Sequence, residues 1–248
     1  MKPLHLAIGI FDGVHRGHRY LIHSAIQVAK ANNGLSGALT FHPHPKKVLG
    51  LPNAPQLIYP IQQRYWLLKK FGCDYVFIKK FTEPWSQSSP DRFFSYLKRL
   101  FPNLAGLYVG EDFHFGHQRS GDVYTLQDLC KSDGNIKLNV FKHLHYTHER
   151  ICSTRIRNCL QQGNISEANN MLGINYHYIG YISNFKHFIH HNELPIKDGI
   201  YFGTLKNKHG DANVKVSVTQ GQLQLINSLD SIFQHKACLL EITQPSLS

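Results

Sequence analysis

Several features that define other classes of protein are missing from this sequence. No apolar run among the 248 residues is long enough to cross a bilayer, and residues 1–3 lead into a strand-like segment without a signal-peptide pattern. The five cysteines are scattered without metal-ligand spacing, and the chain has no internal repeat or low-complexity segment. We therefore expect a cytoplasmic globular protein with free thiols, no membrane partner and no metal site built from protein side chains.

The charge balance is strongly basic. The formal net charge of +11 favours polyanions such as nucleic acids or phosphorylated small molecules. The lysines and arginines are spread along the chain in short pairs rather than gathered in one block, so we expect no nucleic-acid partner. With 42% hydrophobic and 17% charged residues, the chain can build a packed core.

Hydrophobic patterning predicts alternating strands and helices in the first part of the chain. Strands are predicted at 4–11, 35–41, 75–78, 104–109 and 138–141, and helices at 17–32, 61–71 and 90–101. Ser89 and Pro90 are typical first positions of a helix, and Gly34 is a typical stop. One stripe of the first helix is expected to be buried: Leu21, Ala25, Val28 and Ala29. The alternation is typical of an α/β fold with a parallel sheet, whose ligands bind beyond the carboxyl ends of the strands.

The pattern changes near residue 178. Short β-like runs at 199–205, 213–219 and 222–225 follow, separated by turn residues. We therefore predict two domains, an α/β domain over residues 1–178 and a small β-rich domain over residues 179–248.

The segment GIFDGVHRGH, residues 9–18, joins the first predicted strand to the first predicted helix. A helix that begins near Arg16 presents free backbone N–H groups and the positive end of its dipole, which together bind anions. His15 and His18 are three residues apart and can point the same way, towards a phosphate whose oxygens gain charge during attack. An ordinary turn with two exposed histidines is the alternative, and the glycine-rich strand-to-helix context favours function.

The segment ICSTRIR, residues 151–157, has a second set of phosphate-binding residue types. Ser153 can cap a helix that stops at Gly163, and Arg155 and Arg157 can pair with phosphate oxygens. A capped surface helix with solvated arginines is an equally common outcome for such a string. Two such helix starts in one chain suggest a polyphosphate or two phosphorylated substrates.

A third segment, VGEDFHFGHQRSGD at residues 109–122, carries aromatic residues around an acidic loop. Phe113 and Phe115 could stack on a planar ring while Asp112 accepts its N–H groups. From the residue types alone, aromatic side chains that close the core are the favoured interpretation.

These segments, together with TFHPHP at residues 40–45 and the stretch 151–173, resemble the bacterial FAD synthetases in sequence and in order. Those enzymes join an N-terminal FMN adenylyltransferase domain to a C-terminal riboflavin kinase domain. The resemblance covers residues 4–180. It implies a Rossmann-like nucleotidyltransferase fold and the conversion of ATP and FMN to FAD and pyrophosphate with Mg²⁺, the FMN phosphate attacking the α-phosphorus of ATP in line.

The resemblance also implies roles for individual residues. It assigns transition-state stabilisation to His15, His18 and Arg155. It assigns nucleotide binding to Gly9, Phe11, Asp12, Gly13, Gly17, Ser153, Thr154 and Arg157. It assigns the flavin side to Asp112, Phe113, Phe115, Gly116, Pro43 and His44.

The chain departs from the family pattern at several positions. Ile10 replaces a polar residue and His42 replaces an acidic one, so affinities can differ. Residues 180–203 lack the P-T-A-N segment of the family's kinase domain, although their flanks resemble it. The remaining segment is also short for a complete kinase barrel, and no counterpart of the catalytic glutamate is evident. We therefore predict a reduced C-terminal domain without riboflavin kinase activity.

Other functions stay open at this point. A bifunctional enzyme with a divergent kinase site and a related nucleotidyltransferase with another acceptor are the enzymatic alternatives. A non-catalytic sensor of flavin or nucleotide, or a binder of nucleic acid, would also use the basic surface, but the paired histidines and residues 153–157 weigh against it. The sequence does not indicate an oligomeric state.

Overall fold

A computed structural model describes residues 1–184, 186–227, 233 and 236–245. The chain forms two compact units: Met1–Pro55 with Arg64–His145, and Gln56–Gln63 with Tyr146–Ser248. The predicted domain boundary at residue 178 falls within the second unit, inside a strand. Among the described residues, no helix combines the length and apolar character needed to cross a membrane.

The first unit is built on a five-stranded parallel sheet, as the alternating pattern predicts. Its strand order is β3-β2-β1-β4-β5. The strands are β1 (Leu4–Ile8), β2 (Leu35–His42), β3 (Tyr75–Lys80), β4 (Leu104–Gly110) and β5 (Lys137–Phe141). In the central strand, Leu6 lies opposite Gly37 on one side and Leu107 on the other. β1 is buried at every position, so its carboxyl end delivers the next residues to the middle of the sheet edge.

Helices connect these strands. They are α1 (Arg16–Ala31), α2 (Pro45–Val48), α3 (Ile61–Lys70), α4 (Glu83–Ser86), α5 (Pro90–Leu100) and α6 (Val123–Asp133), with 3₁₀ turns at Asp12–Val14 and His117–Arg119. Ser89 caps α5 as predicted, because its side chain accepts a hydrogen bond from the Arg92 N–H. Gly34 follows α1, and its N–H donates to the Ala29 carbonyl at 2.7 Å.

The buried face of α1 differs from the prediction at one position. Leu21, Ala25 and Ala29 are buried as expected, but Val28 is 37% exposed. Ile22 and Ile26, the residues that follow Leu21 and Ala25, are buried in addition to the predicted residues. The buried face of α1 is therefore centred closer to Ile22 and Ile26 than the prediction placed it. These larger side chains cover the apolar sheet more completely than Val28 can.

The second unit begins with a small hairpin and two helices. They are β6 (His145–Tyr146), β7 (Glu149–Arg150), α7 (Ser153–Gln162) and α8 (Ile165–Leu172). The predicted cap at Ser153 is wrong by one position, since Cys152 has the extended N-cap backbone and Ser153 is the first helical residue. The predicted stop at Gly163 is confirmed, because Gly163 has the left-handed backbone that ends a helix.

The remaining strands close into an antiparallel barrel with the order β10-β11-β12-β9-β8-β13. They are β8 (Tyr176–Ser183), β9 (His187–His190), β10 (Gly199–Asn207), β11 (Gly210–Thr219), β12 (Gln222–Leu225) and β13 (Ala237–Pro245). The β-like runs of the sequence are confirmed, and β10 pairs with β13 to seal the sheet. Closure removes the free edges that a partial sheet would expose.

Helix α5 offers a matched test of this packing. Leu97 is fully buried in the cluster between helix and sheet, whereas Leu100, three residues later, is 46% exposed. Leu97→Ala should therefore destabilise the protein by about 2–5 kcal/mol, because it leaves a cavity. Leu100→Ala should change stability by less than about 0.5 kcal/mol. Urea denaturation followed by circular dichroism measures both, and equal losses for the two variants would contradict this assignment of the core.

Candidate functional site

The turn after β1 has an unusual backbone. Phe11 adopts a left-handed conformation with φ 52° and ψ 34°, and Gly13 follows with φ 80°. Phe11 is only 1% exposed, and Asp12 is also buried. A Cβ on Gly9 would lie 2.9 Å from the Phe11 ring, so only glycine fits beside it. The predicted nucleotide-binding turn is thus a tightly packed structure, and left-handed backbone at a non-glycine residue costs about 1–2 kcal/mol.

The two histidines of this segment meet at the start of α1. His15 is the N-cap, and its Nδ1 accepts a hydrogen bond from the His18 N–H at 3.4 Å. Their rings stack with centroids 3.6 Å apart and an interplanar angle of 18°. A Cβ on Gly17 would lie 3.3 Å from the His15 ring, so glycine leaves room for this stack. The structure therefore gathers Gly9, Phe11, Gly13 and Gly17 around a histidine pair at a helix N-terminus.

The environment of His18 keeps its imidazole neutral. Burial, followed by the positive charge of Arg64, lowers the pKa of His18 from its ordinary value of 6.5 to about 3. The rings of Phe11 and His18 meet edge to face, with their centroids 5.3 Å apart. Among the described residues, His18 Nδ1 is buried without a hydrogen-bond partner. A neutral imidazole in this position can donate one hydrogen bond to a phosphate that enters the site.

The guanidinium of Arg155, which was predicted to bind phosphate, is bound by other groups of the protein in this structure. Its guanidinium is paired with Glu149, at 3.2 Å from Nε, and with Glu167, at 2.5 Å from Nη2. It also donates to the Tyr146 carbonyl at 2.8 Å and to the Thr147 hydroxyl at 2.9 Å. These bonds tie the β6–β7 hairpin to helices α7 and α8. In this structure the guanidinium serves to hold the hairpin.

The other residues of that motif lie at the start of α7. Ser153 and Thr154 occupy its first turn, where backbone N–H groups have no partner within the helix. Arg157 donates through Nε to the Gln56 carbonyl at 2.8 Å. All of these residues belong to the second compact unit, whereas His15 and His18 belong to the first.

The loop after β4 carries the residues assigned to the flavin side. Phe115 is buried in the core cluster, with its ring 5.0 Å from Phe93 and 5.6 Å from Phe113. Gly116 has φ 77°, and a Cβ there would lie 3.0 Å from the Pro90 ring. Asp112 is exposed, with a carboxylate oxygen 3.5 Å from His143 Nε2. Phe115 therefore shapes the loop from the core, and Asp112 is the polar group at its surface.

The segment after β2 contributes the remaining assigned residues. The peptide bond between His42 and Pro43 is cis. His44 caps the short helix α2, because its Nδ1 accepts a hydrogen bond from the Lys46 N–H at 3.2 Å. Pro43 and His44 thus form a capped turn at the same edge of the sheet as the turn after β1.

A metal ion would find few ligands on the protein itself. The described part of the chain contains no cluster of three or more histidine, cysteine or acidic side chains suited to a metal. Mg²⁺ commonly keeps water ligands and is bound through substrate phosphates. The residues present therefore do not form a dedicated Mg²⁺ cage.

One residue of the site was not predicted. Arg64 in α3 is 0% exposed and donates to the Ile10 carbonyl beside the left-handed turn. The sequence held a signal, because Arg64 lies three and four residues before the buried Leu67 and Leu68. A cation on the apolar stripe of a helix requires a polar partner in the fold.

Comparison with known proteins agrees with this geometry. The family model described as FAD synthetase matches residues 1–155, which include both histidines and the start of α7. The chain belongs to the FAD synthetase family. A bifunctional riboflavin kinase/FMN adenylyltransferase from Buchnera aphidicola subsp. Schizaphis graminum is 30% identical over 194 residues, which cover 78% of this chain and 60% of the relative.

Other FAD synthetase relatives differ in how much of their length this chain spans. A bifunctional riboflavin kinase/FMN adenylyltransferase of Bacillus subtilis is 33% identical, over 71% of this chain and 55% of the relative. A protein from Listeria monocytogenes named FAD synthetase is 32% identical, over 72% of each chain. The matched part thus spans 55–60% of these bifunctional relatives and more of the protein named for one activity.

A solved structure shares the fold. A crystal structure described as a macrolide-efflux protein from Streptococcus pneumoniae matches 99% of this chain and 95% of its own, with a TM-score of 0.84 and 20% identity. At this identity the likeness establishes the architecture alone. The α/β unit with a parallel sheet and the β-rich unit are therefore confirmed.

The neutral state of His18 can be measured directly. Because the pKa of His18 is lowered to about 3, its imidazole NMR signals in the ligand-free protein should not titrate between pH 8 and pH 5. The His18→Gln variant assigns the signals by removing them. A titration midpoint near the ordinary pKa of 6.5 would contradict the buried environment of this ring.

Proposed function

We propose that this protein is an FMN adenylyltransferase, which transfers AMP from ATP to FMN and releases pyrophosphate. The observation that carries the proposal is the stacked pair His15 and His18 at the N-terminus of α1, in a chain of the FAD synthetase family. The fold supports it, because the pair follows the central strand of a parallel sheet, where ligands of such sheets bind.

The proposed reaction is one in-line displacement. A phosphate oxygen of FMN attacks the α-phosphorus of ATP, the new P–O bond forms as the bond to the β-phosphate bridging oxygen breaks, and pyrophosphate leaves with that electron pair. FMN already supplies a nucleophile, so the protein needs no covalent intermediate. Its contribution is alignment of the two phosphates and stabilisation of the charge that develops on their oxygens.

The chain's own groups suit this task. The neutral His18 ring and its stacked partner His15 can donate hydrogen bonds to the phosphate oxygens. The N-terminus of α1 adds the positive end of the helix dipole. In this proposal Ser153, Thr154 and Arg157 bind the polyphosphate at a second helix start, and Arg155 holds the neighbouring hairpin rather than the phosphate.

The proposal assigns the remaining predicted residues as follows. Asp12, with Gly9, Phe11, Gly13 and Gly17, forms the nucleotide-binding turn. The flavin side comprises Asp112, Phe113, Phe115, Gly116, Pro43 and His44. ATP enters as its Mg²⁺ complex, so the ion arrives as part of the substrate. The five free cysteines fit the cytoplasm, where ATP and FMN are available.

We further propose that the barrel unit lacks riboflavin kinase activity. The support is the absence of the P-T-A-N segment between Gly180 and Gly203. The Listeria relative named only as FAD synthetase, of which this chain covers 72%, also supports a single function. The closed six-stranded barrel favours the alternative, a bifunctional enzyme with a divergent kinase site, because the β framework is complete.

One assay separates these functions. The purified protein is incubated with Mg-ATP and either FMN or riboflavin, and the flavin products are separated by chromatography. We expect FAD from FMN and no phosphorylated product from riboflavin. FMN or FAD formed from riboflavin would establish the bifunctional alternative. Failure to form FAD from FMN would reject the proposed activity.

The histidine pair has a matched control on the same helix. His18→Ala should lower kcat for FAD formation by about 10²–10³-fold, because it removes a donor to the transition state. His23→Ala should leave kcat unchanged, since His23 is exposed and its hydrogen bond runs to the nearby Gln27 side chain. Equal rates for the two variants would show that His18 takes no part in catalysis.

A further inference from the structure

Arg64 occupies an exceptional position in the first unit. It is 0% exposed and is the largest of the fully buried side chains. Its Nη1 donates to the Ile10 carbonyl at 2.5 Å and lies 3.3 Å from the Thr40 hydroxyl oxygen. The Thr40 hydroxyl donates to the same carbonyl at 2.9 Å. Two donors from two other elements thus hold one backbone oxygen of the turn.

That backbone oxygen controls the geometry of the proposed phosphate site. Ile10 directly precedes Phe11, whose left-handed backbone redirects the chain towards the 3₁₀ turn and His15. The Phe11 ring then contacts His18 by its edge. A small rotation of the Ile10–Phe11 peptide would move both the turn and the ring that supports His18. The hydrogen bonds to Ile10 oppose this rotation and offset the cost of the left-handed residue.

The charge of Arg64 has a second consequence. A neutral amide could donate to the Ile10 carbonyl with a much smaller desolvation cost than a buried guanidinium, which cannot lose its proton. The permanent charge lies close enough to His18 to oppose protonation of that ring. His15, stacked on His18, and Arg64 are the ionisable groups that the structure records against it. The same positive field attracts a polyphosphate that approaches His18 Nδ1, which has no partner in the described part of the protein.

We propose that Arg64 is a positioning residue for adenylyl transfer, which fixes the Ile10 carbonyl behind the phosphate-binding turn and supplies a buried positive charge that favours the ATP polyphosphate. This inference rests on the proposed function for its ligand. Arg64 acts through the turn and through its field, without contact to the substrate.

Two substitutions separate the charge from the hydrogen bond. Arg64→Gln retains an N–H donor and removes the charge, whereas Arg64→Lys retains the charge and a donor. Arg92→Gln is the control, since Arg92 is an exposed arginine of the same unit. The measurements are Mg-ATP binding by calorimetry without FMN, the NMR titration of His18, and the thermal midpoint of each variant.

We expect Arg64→Gln to weaken Mg-ATP binding by about tenfold or more, because it removes a buried positive charge next to the phosphate site. In this variant the pKa of His18 should rise measurably, because one of the two causes of its lowering is removed. Arg64→Lys should keep most of the ATP affinity and leave the pKa of His18 as low as in the wild type. Arg92→Gln should behave like the wild type. A purely packing role would not change the His18 titration in this charge-dependent way.

The outcomes distinguish this inference from the proposed function. If Arg64→Gln folds but binds Mg-ATP and titrates at His18 like the wild type, the inference is wrong, even if FAD is formed. If the wild type binds Mg-ATP without forming FAD while the variants behave as expected, the proposed function fails and the role of Arg64 stands. If Arg64→Gln does not fold, Arg64→Lys decides: retained ATP affinity supports the role of the charge, and a loss of about tenfold or more in a folded Arg64→Lys variant overturns it.

Discussion

The hydrogen bonds to the Ile10 carbonyl determine the geometry on which the rest of the site depends. They hold the chain where it leaves the central strand, directly before the left-handed residue Phe11. From there the backbone reaches His15 as an N-cap, and one helical turn brings His18 beneath it. A stack of two imidazoles at a helix start is thus the consequence of one anchored peptide, with glycines wherever a Cβ would intrude.

Electrostatics give this arrangement its chemical character. A protonated pair of stacked histidines beside a buried guanidinium would repel itself, so burial and the Arg64 charge favour the neutral ring of His18. The site therefore offers fixed dipoles and one permanent charge. Such groups need little reorganisation when charge develops on a transferring phosphate, which is the condition for strong stabilisation of a transition state.

The two arginines of the segment at residues 151–157 have different surroundings in the second unit. Arg155 and Arg157 are two residues apart on α7. Arg155 is surrounded by carboxylates and hairpin carbonyls, whereas Arg157 donates to the Gln56 carbonyl. An arginine with this many protein partners orders a structure, since its rigid fork is already occupied. The barrel makes a related point, because its strands pair and close although the P-T-A-N segment is missing. Sheet closure depends on alternating apolar residues and register, and neither requires that segment.

Local sequence patterns predicted the five strands of the parallel sheet, the α/β class and the position of His15 and His18 at the start of α1. They could do so because periodicity, caps and glycine positions are local properties. The partners that these and other residues contact depend on the tertiary structure. It joined Arg64 to Ile10 across 54 positions, surrounded Arg155 with Glu149 and Glu167, and packed Phe115 into the core. The physical reason is that the environment of a buried charge or ring is made by groups distant in sequence. A sequence pattern can show that a buried charge needs a partner, but it does not show which residue that partner is.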